Sequence, residues 1–373
     1  MAHKLWTPGI YGWQSNIEHV LNSVAGEHPP GERLVIYYSY PSGVNSVFST
    51  ERAAQLFSRW DLIVFGQPLQ EPDHEEHDNA VAVIEKIHEY HPGAKVFGYV
   101  SLAVANGASA ALTDQEIQDR IDAWQVMGCD GMLLDEYGFD YQVPRTRQNM
   151  ALDYVHEQDV LDGLPGQKMV ALVNAWVQAD AFAPDKASAL AVDPNIVTAN
   201  HDAYNPDGIP STATTGDYTL LETWVAHTEF YPGNHIASIF NIKNRADHAR
   251  HYRTELGVKP LGGSVVNYGT TTGAEQLAYF QLTEAFARMF GLDGWAVDAL
   301  DYSANVANLA VVKSWPYNRG PLPRAPEYWM DDTAPDDWLT FIRHDLGLKI
   351  TGTSTTAGES TWTIGTADEL LGG

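Results

Sequence analysis

Acidic residues close three apolar runs of this 373-residue chain: Asp135 and Glu136 follow GMLL, Glu222 follows YTLL, and Asp298 follows GWAV. A carboxylate beside a run that wants burial is costly unless it is paired or put to use. Two such groups facing each other can serve as proton donor and nucleophile, or as donor and base. Amides and aromatics occupy matching places. Tyr38 and Ser39 follow LVIY, Gln67 follows DLIVFG, Tyr99 and Ser101 lie in KVFGYVS, and Asn174 and Trp176 follow VALV. Trp224 closes LLETW, Asn267 and Tyr268 follow GGSVV, and Asp301 lies beyond Asp298. Carboxylates for acid–base work, amides for hydroxyls and aromatic faces for pyranose rings are together suited to a sugar. Each residue also has a plainer reading. Side chains alternate along a strand, so only one of Asp135 and Glu136 faces a common cleft, and the other caps a helix or meets a base. Asn174 is equally a hydrogen-bonded core amide, and Asp298 a repeat of the geometry at Asp135.

The elements that must position these groups are short β-rich runs: 34–40, 61–66, 94–102, 131–136, 169–176, 218–224, 262–269 and 294–302. They alternate with helical patterns. AVAVIEKIHEY (80–90) is amphipathic. TDQEIQDRIDAW opens with Thr113 and Glu116 in capping-box spacing and lines up Ile117, Ile121 and Trp124 as a packing face; AEQLAYFQLTEAFARMF (274–290) is a third helix. Eight strands alternating with helices predict an α/β fold, a (β/α)8 TIM barrel over 33–305, whose catalytic groups gather at the C-terminal strand ends. An open doubly wound sheet is the competitor, without its usual glycine-rich phosphate loop. GCDGMLLD (128–135) and GLDGWAVD (291–298) share one pattern half a barrel apart. Residues 1–32 read as a short N-terminal extension. Residues 306–373 read as an irregular or β-rich extension: a Pro- and aromatic-rich wrapping segment, then a Thr/Gly-rich tail. HDAYNPDGIPSTATTGD (201–217) reads as a long loop able to shape a groove.

Composition narrows the partners. The 48 acids against 22 bases give a formal charge of −26, which repels nucleic acid and anionic membranes and admits neutral or cationic substrates. No apolar run is long enough for a transmembrane helix, and the first residues lack a signal-peptide core; the chain is expected to work outside cells or on a virion. A single cysteine, Cys129, rules out an intrachain disulfide. His74 and His77 among acids at 71–79 suit a helix start better than a metal, and HExxH, GxSxG and P-loop motifs do not occur, so no cofactor is expected.

GYV at 98–100, the strand-four pattern ending in Asp135 and Glu136, Asn174 on strand five and Glu222 on strand six together resemble the spherulin-4-like glycoside hydrolases. That group is related to the endo-α-1,4-polygalactosaminidase barrels. The likeness spans about 33–300. It departs at GQPLQEPDH, where an Asn-Pro-rich turn would follow strand two, and at NAW, where Asn-Pro-Gly would stand. The resemblance implies an endo-acting barrel that cleaves galactosamine-containing polysaccharide with a strand-four Asp and a strand-six Glu. The expectation is therefore a two-carboxylate glycosidase, with Glu222 as acid/base and Asp135 as nucleophile or electrostatic stabiliser. Glu136 is the alternative strand-four acid. Tyr38, Tyr99, Asn174, Trp176, Trp224, Asn267, Tyr268 and Asp298 are the substrate-binding candidates. The competing reading is a carbohydrate-binding or structural barrel of a larger assembly, such as a viral tail or surface layer, joined through the C-terminal tail.

Overall fold

The computed structural model describes residues 31–66, 68–107, 110–161, 163–227, 236–299 and 312–313, with strands at 329–331, 338–343, 348–353 and 361–366. Gln67, Asp301 and the 1–30 part of the N-terminal extension lie outside the described residues. Eight parallel strands close into a barrel in sequence order: β1 Glu32–Tyr37, β2 Leu62–Phe65, β3 Lys95–Ser101, β4 Gly131–Asp135, β5 Val170–Val173, β6 Tyr218–Leu221, β7 Lys259–Val266 and β8 Gly294–Ala299. β8 pairs with β1 through Leu34 opposite Ala296, and that pairing completes the ring. The (β/α)8 expectation holds, with strand ends shifted by up to a few residues.

Alternation decides what goes inside. Leu34, Ile36, Leu62, Val64, Phe97, Leu133, Leu172, Leu220, Leu261 and Ala296 fill the barrel interior. The intervening residues face outward onto helices α1 Thr50–Phe57, α2 His77–Tyr90, α3 Asp114–Val126, α4 Arg145–Glu157, α8 Ile239–Leu256 and α9 Gly273–Met289. Thr113 and Glu116 form the expected capping box at the start of α3, and Ile117, Ile121 and Trp124 are its buried face. Gly98 leaves the space that Trp124 fills: a Cβ there would lie 2.2 Å from the indole.

The connection from β5 to β6 is longer than a simple loop. It holds α5 Gln178–Phe182, α6 Lys186–Val192 and α7 Thr198–Tyr204. The segment read as a loop at 201–217 therefore begins as the end of a helix, with His201 and Tyr204 packed on Phe139. Its remainder runs down to the N-terminal end of β6. Near the C-terminus, β9 Trp329–Asp331, β10 Trp338–Arg343, β11 Leu348–Thr353 and β12 Thr361–Thr366 form an antiparallel sheet in the order β12-β11-β10-β9.

The N-terminal rim of the barrel carries a repeated device. An aspartate stands immediately before every even-numbered strand: Asp61, Asp130, Asp217 and Asp293. Three of them accept a backbone N–H from the neighbouring odd strand: Arg33 to Asp61 at 2.9 Å, Val96 to Asp130 at 2.7 Å, and Ala171 to Asp217 at 2.8 Å. Each also meets a base: Arg33 at 3.0 Å, His88 at 2.9 Å and His156 at 2.9 Å, with Arg253 at 3.2 Å from Asp293. These carboxylates stitch strand starts to one another and to the outer layer.

Candidate active site

Five residues above each of those aspartates, the same strands deliver Gly66, Asp135, Glu222 and Asp298 to the opposite rim. Five is an odd step, so an outward-facing acid at the bottom becomes an inward-facing group at the top. Gly66 makes room for Tyr38, whose ring a Cβ would approach to 2.6 Å. The other three bring carboxylates from β4, β6 and β8 into the barrel mouth.

Asn174, at the end of β5, lies between the first two. Its Nδ2 donates to Asp135 Oδ1 at 2.8 Å and to Glu222 Oε2 at 3.0 Å. Asp135 also accepts from the Tyr99 hydroxyl and from the Glu136 backbone N–H. Burial is the main force holding the Asp135 carboxyl up at about 6; the Glu222 charge acts in the same direction, against the pull of its three donors. Asp298 accepts from Ile36 N at 3.0 Å, and burial, assisted by Glu222, pushes it to about 7. Tyr141 belongs to the same acidic surroundings. Its hydroxyl is raised to about 12, first by burial and then by Asp140, Asp135, Glu136 and Glu222.

Glu136 lies just past the end of β4, in the left-handed region at φ 52. It is buried and accepts from Ser101 Oγ at 2.5 Å, and Gly107 of the β3 loop comes so close that a Cβ would sit 2.6 Å from Oε2. Glu136 therefore anchors the β3 loop beside the mouth. Of the aromatic candidates, Tyr99 donates to Asp135 and meets Tyr38 edge-on at 5.0 Å between ring centroids. Trp176 is 55% exposed at the rim.

The three remaining candidates, Trp224, Asn267 and Tyr268, make contacts of their own. Trp224 is fully enclosed in the helix layer: its Nε1 donates to Ile242 O at 2.8 Å, and its ring packs against Phe286 and Phe290. No face of it is available to a ligand. Asn267 Oδ1 accepts from Gly269 N at 2.9 Å and shapes the turn into α9. Tyr268 lies against the Lys313 ammonium, 4.7 Å from its ring centroid, with its hydroxyl 3.4 Å from Val297 O.

Two residues near the acids carried no signal that a sequence reading could have weighed. Tyr141 ends the very stretch that holds Asp135, but only the 3-10 turn Phe139–Tyr141 brings it round. Arg245 comes from α8, a helix with little amphipathic pattern, and donates from Nη2 to Glu222 O at 2.8 Å. Behind the β5 rim, the fully buried Arg145 donates to the carbonyls of Asp180, Ala181 and Ala183, fixing the loop that follows Trp176.

Backbone strain points to the same end of the barrel. Among the described residues, every non-glycine residue with positive φ lies in a strand-to-helix connection: Asn45, Ser46 and Phe48 after β1, Asn106 after β3, Glu136 and Gln142 after β4, and Thr223 after β6. The positive-φ glycines, Gly128, Gly166, Gly208, Gly216, Gly257 and Gly291, all lie in connections that lead into a strand. Glycine adopts that conformation freely, whereas other residues pay for it and concentrate where function demands it. Glu136 and Thr223 each directly follow one of the central carboxylates.

Among the described residues no group of three or more His, Cys, Asp or Glu is placed to hold a metal ion. His77 instead starts α2 and contacts Leu69 O through Nδ1 at 2.8 Å. A cleft of about 340 Å³ lined by Asn45, Arg59, Trp60, Gln276, Phe280 and Lys313, among others, opens between α1 and α9, away from the carboxylates.

No family model and no curated protein matches the chain. Among solved structures it is similar to the glycoside hydrolase domain of PelA from Pseudomonas aeruginosa, at TM-score 0.41 and 12% identity over 76% of this chain and 98% of that one. It is also similar to an endo-beta-N-acetylglucosaminidase from Cordyceps militaris, at TM-score 0.41 and 13% identity over 80% and 90%. Pyruvate carboxylase from Rhizobium etli is matched at TM-score 0.39 and 8% identity over 80% of this chain and 25% of that one. The reaction has to be argued from the site itself.

Proposed function

We propose that the protein is a retaining glycoside hydrolase that cuts within a hexosamine-containing polysaccharide. The observation that carries this reading is the single Asn174 amide nitrogen donating to both Asp135 and Glu222. Two oxygens held by one nitrogen can be no farther apart than the two hydrogen bonds laid end to end. Nearest oxygens held that close accord better with the roughly 5–5.5 Å separation of retaining pairs than with the roughly 6.5–9.5 Å of inverting ones.

The raised carboxyl is the natural proton donor. This favours Asp135 as acid/base and Glu222 as nucleophile, the reverse of the assignment expected from sequence. Asp135 protonates the glycosidic oxygen as Glu222 attacks the anomeric carbon, so the C–O bond to the leaving sugar breaks and a glycosyl ester forms. Asp135, now ionised, takes a proton from water as that water displaces Glu222, which restores both groups. Asn174 orients the two carboxylates. Asp298, kept partly neutral near pH 7 by its burial, limits the negative charge gathered beside Glu222.

The resemblance to the spherulin-4-like and polygalactosaminidase barrels supports a galactosamine-type substrate, and the −26 charge suits a neutral or cationic polymer. The test is reducing-end release from a panel of hexosamine polysaccharides by the native protein, Asp135→Asn and Glu222→Gln. Release by the native protein, with a loss of about 10²-fold or more in both folded variants, is expected. Glycan binding without release by the native protein would instead make this barrel a carbohydrate-binding module.

A further inference from the structure

Trp176 and Arg245 form a unit beside the carboxylates. The indole of Trp176 is 55% exposed on the rim, an unusual position for the largest apolar side chain. It stands two residues beyond Asn174, so its Cα lies within about 7 Å of that residue's, roughly one sugar ring away. The Arg245 guanidinium, itself only 8% exposed, lies over the indole with its carbon 4.7 Å from the ring centroid. Its Nη2 donates to Glu222 O at 2.8 Å. One planar cation is thus in contact with the aromatic ring and with the main chain of a central carboxylate.

The local fold explains how this comes about. Thr223, in the left-handed region at φ 49, reverses the chain after Glu222, so Glu222 enters the mouth while Trp224 enters the helix layer. There Trp224 is pinned to Ile242 of α8, and Arg245 stands three residues further along that helix. The strand-six end is therefore clamped to α8 at two points, and the second clamp extends to Trp176, just beyond β5. A guanidinium stacked on one face of an indole restrains the ring and leaves the opposite face for another planar or ring-shaped group.

We propose that Arg245 is a positioning residue that holds Trp176 as a stacking platform for a hexosamine ring in the subsite next to Asp135 and Glu222. This rests on the glycosidase reading for the identity of the sugar, but the platform is tested by binding alone. The probes are a hexasaccharide of N-acetylglucosamine and one of galactosamine. Both are titrated against the Glu222→Gln protein, so that neither is consumed, with calorimetry and tryptophan fluorescence as readouts.

At least one probe is expected to bind and shift the fluorescence. Trp176→Ala should abolish the shift and weaken binding by roughly tenfold or more, and Arg245→Met should weaken it by a similar factor although the indole is still present. The double variant should bind no more weakly than the worse single one, because the two residues act as one unit. Arg245→Lys, which keeps the charge but not the planar fork, should recover part of the loss. Failure of both probes to bind, unchanged affinity in Trp176→Ala, or simple additivity in the double variant would overturn the proposal. Should Arg245→Met not fold, Trp176→Phe decides at an exposed position: a retained ring must keep most of the affinity that Ala loses. Loss of reducing-end release in Glu222→Gln is a separate result, so a failed platform and a failed glycosidase are distinguishable.

Discussion

Asp135, Asn174 and Glu222 form a three-residue chain in which one neutral amide lies between two acids. The raised Asp135 carboxyl ties the site to a pH test. If Asp135 supplies the proton, kcat/KM should fall as pH rises through about 6, and a pH–rate profile on a hexosamine polysaccharide would show that limb. A profile flat from about pH 5 to 8 would remove Asp135 from the donor role. Asp298 allows a stability test. Its folded value, about 7, lies above the ordinary carboxyl range, so the folded protein binds an extra proton between about pH 4 and 7. Stability therefore declines as pH rises through that window. Asp298→Asn keeps the acceptor for Ile36 N and removes the charge. It should be more stable than the native protein by about 2 kcal/mol at pH 8, with the difference vanishing towards pH 4 in urea unfolding. At this scale the sequence was partly legible. Acids closing the runs GMLL, YTLL and GWAV were conspicuous because burial makes them expensive. Trp224 was misread because the residue that turns it outward, Thr223, has no sequence signature for positive φ.

The even strands are built alike, with an aspartate at the foot and, five residues on, an inward group at the head. The match between 128–135 and 291–298 was visible in the sequence. Asp217 and Glu222 fit the same spacing, but the glycine before the aspartate (Gly216) is displaced by one residue and Tyr218 replaces the one after it, so only the barrel shows that they belong to it. The feet carry structural weight. His156 is pulled down by burial, but its hydrogen bond and charge interaction with Asp217 outweigh this, and its folded value ends above the ordinary one. The stabilisation it gains is complete below the ordinary histidine value and is lost as pH rises through the raised one. His156→Gln should accordingly destabilise the protein more at about pH 5.5 than at about pH 9, measured by denaturant midpoint. Asp217→Ala should cost about 3 kcal/mol, since it strands the N–H groups of Ala171 and Thr214 as well as the histidine. Helix α8 was illegible for the opposite reason. Its sequence, IFNIKNRADHARHYRTEL, has little apolar periodicity, and its place is set by contacts with Trp224 and Phe182.

Across the whole molecule, charge and site act together. A net charge of −26 draws a cationic polymer towards a mouth that itself holds three carboxyl groups. KM for a free-amine polysaccharide should therefore rise several-fold between about 20 and 300 mM salt, while KM for its N-acetylated form changes little; steady-state kinetics at the two ionic strengths would show this. Equal salt responses would mean that the acidic surface has no part in capture.

The two kinds of left-handed residue divide the barrel between two tasks. Connections into strands turn on glycine and are sealed by the aspartate feet, whereas connections out of strands turn on residues that bear a cost. A stretch of chain that is costly to hold gives up little when it is exchanged, while an inexpensive and tightly stitched one gives up much. The lower rim is thus the chassis and the upper rim a set of interchangeable fittings. Transplanting the β1, β4 or β6 loops from another barrel should leave this one assembled, and descendants of the chain could acquire new substrates there without having to relearn how to fold.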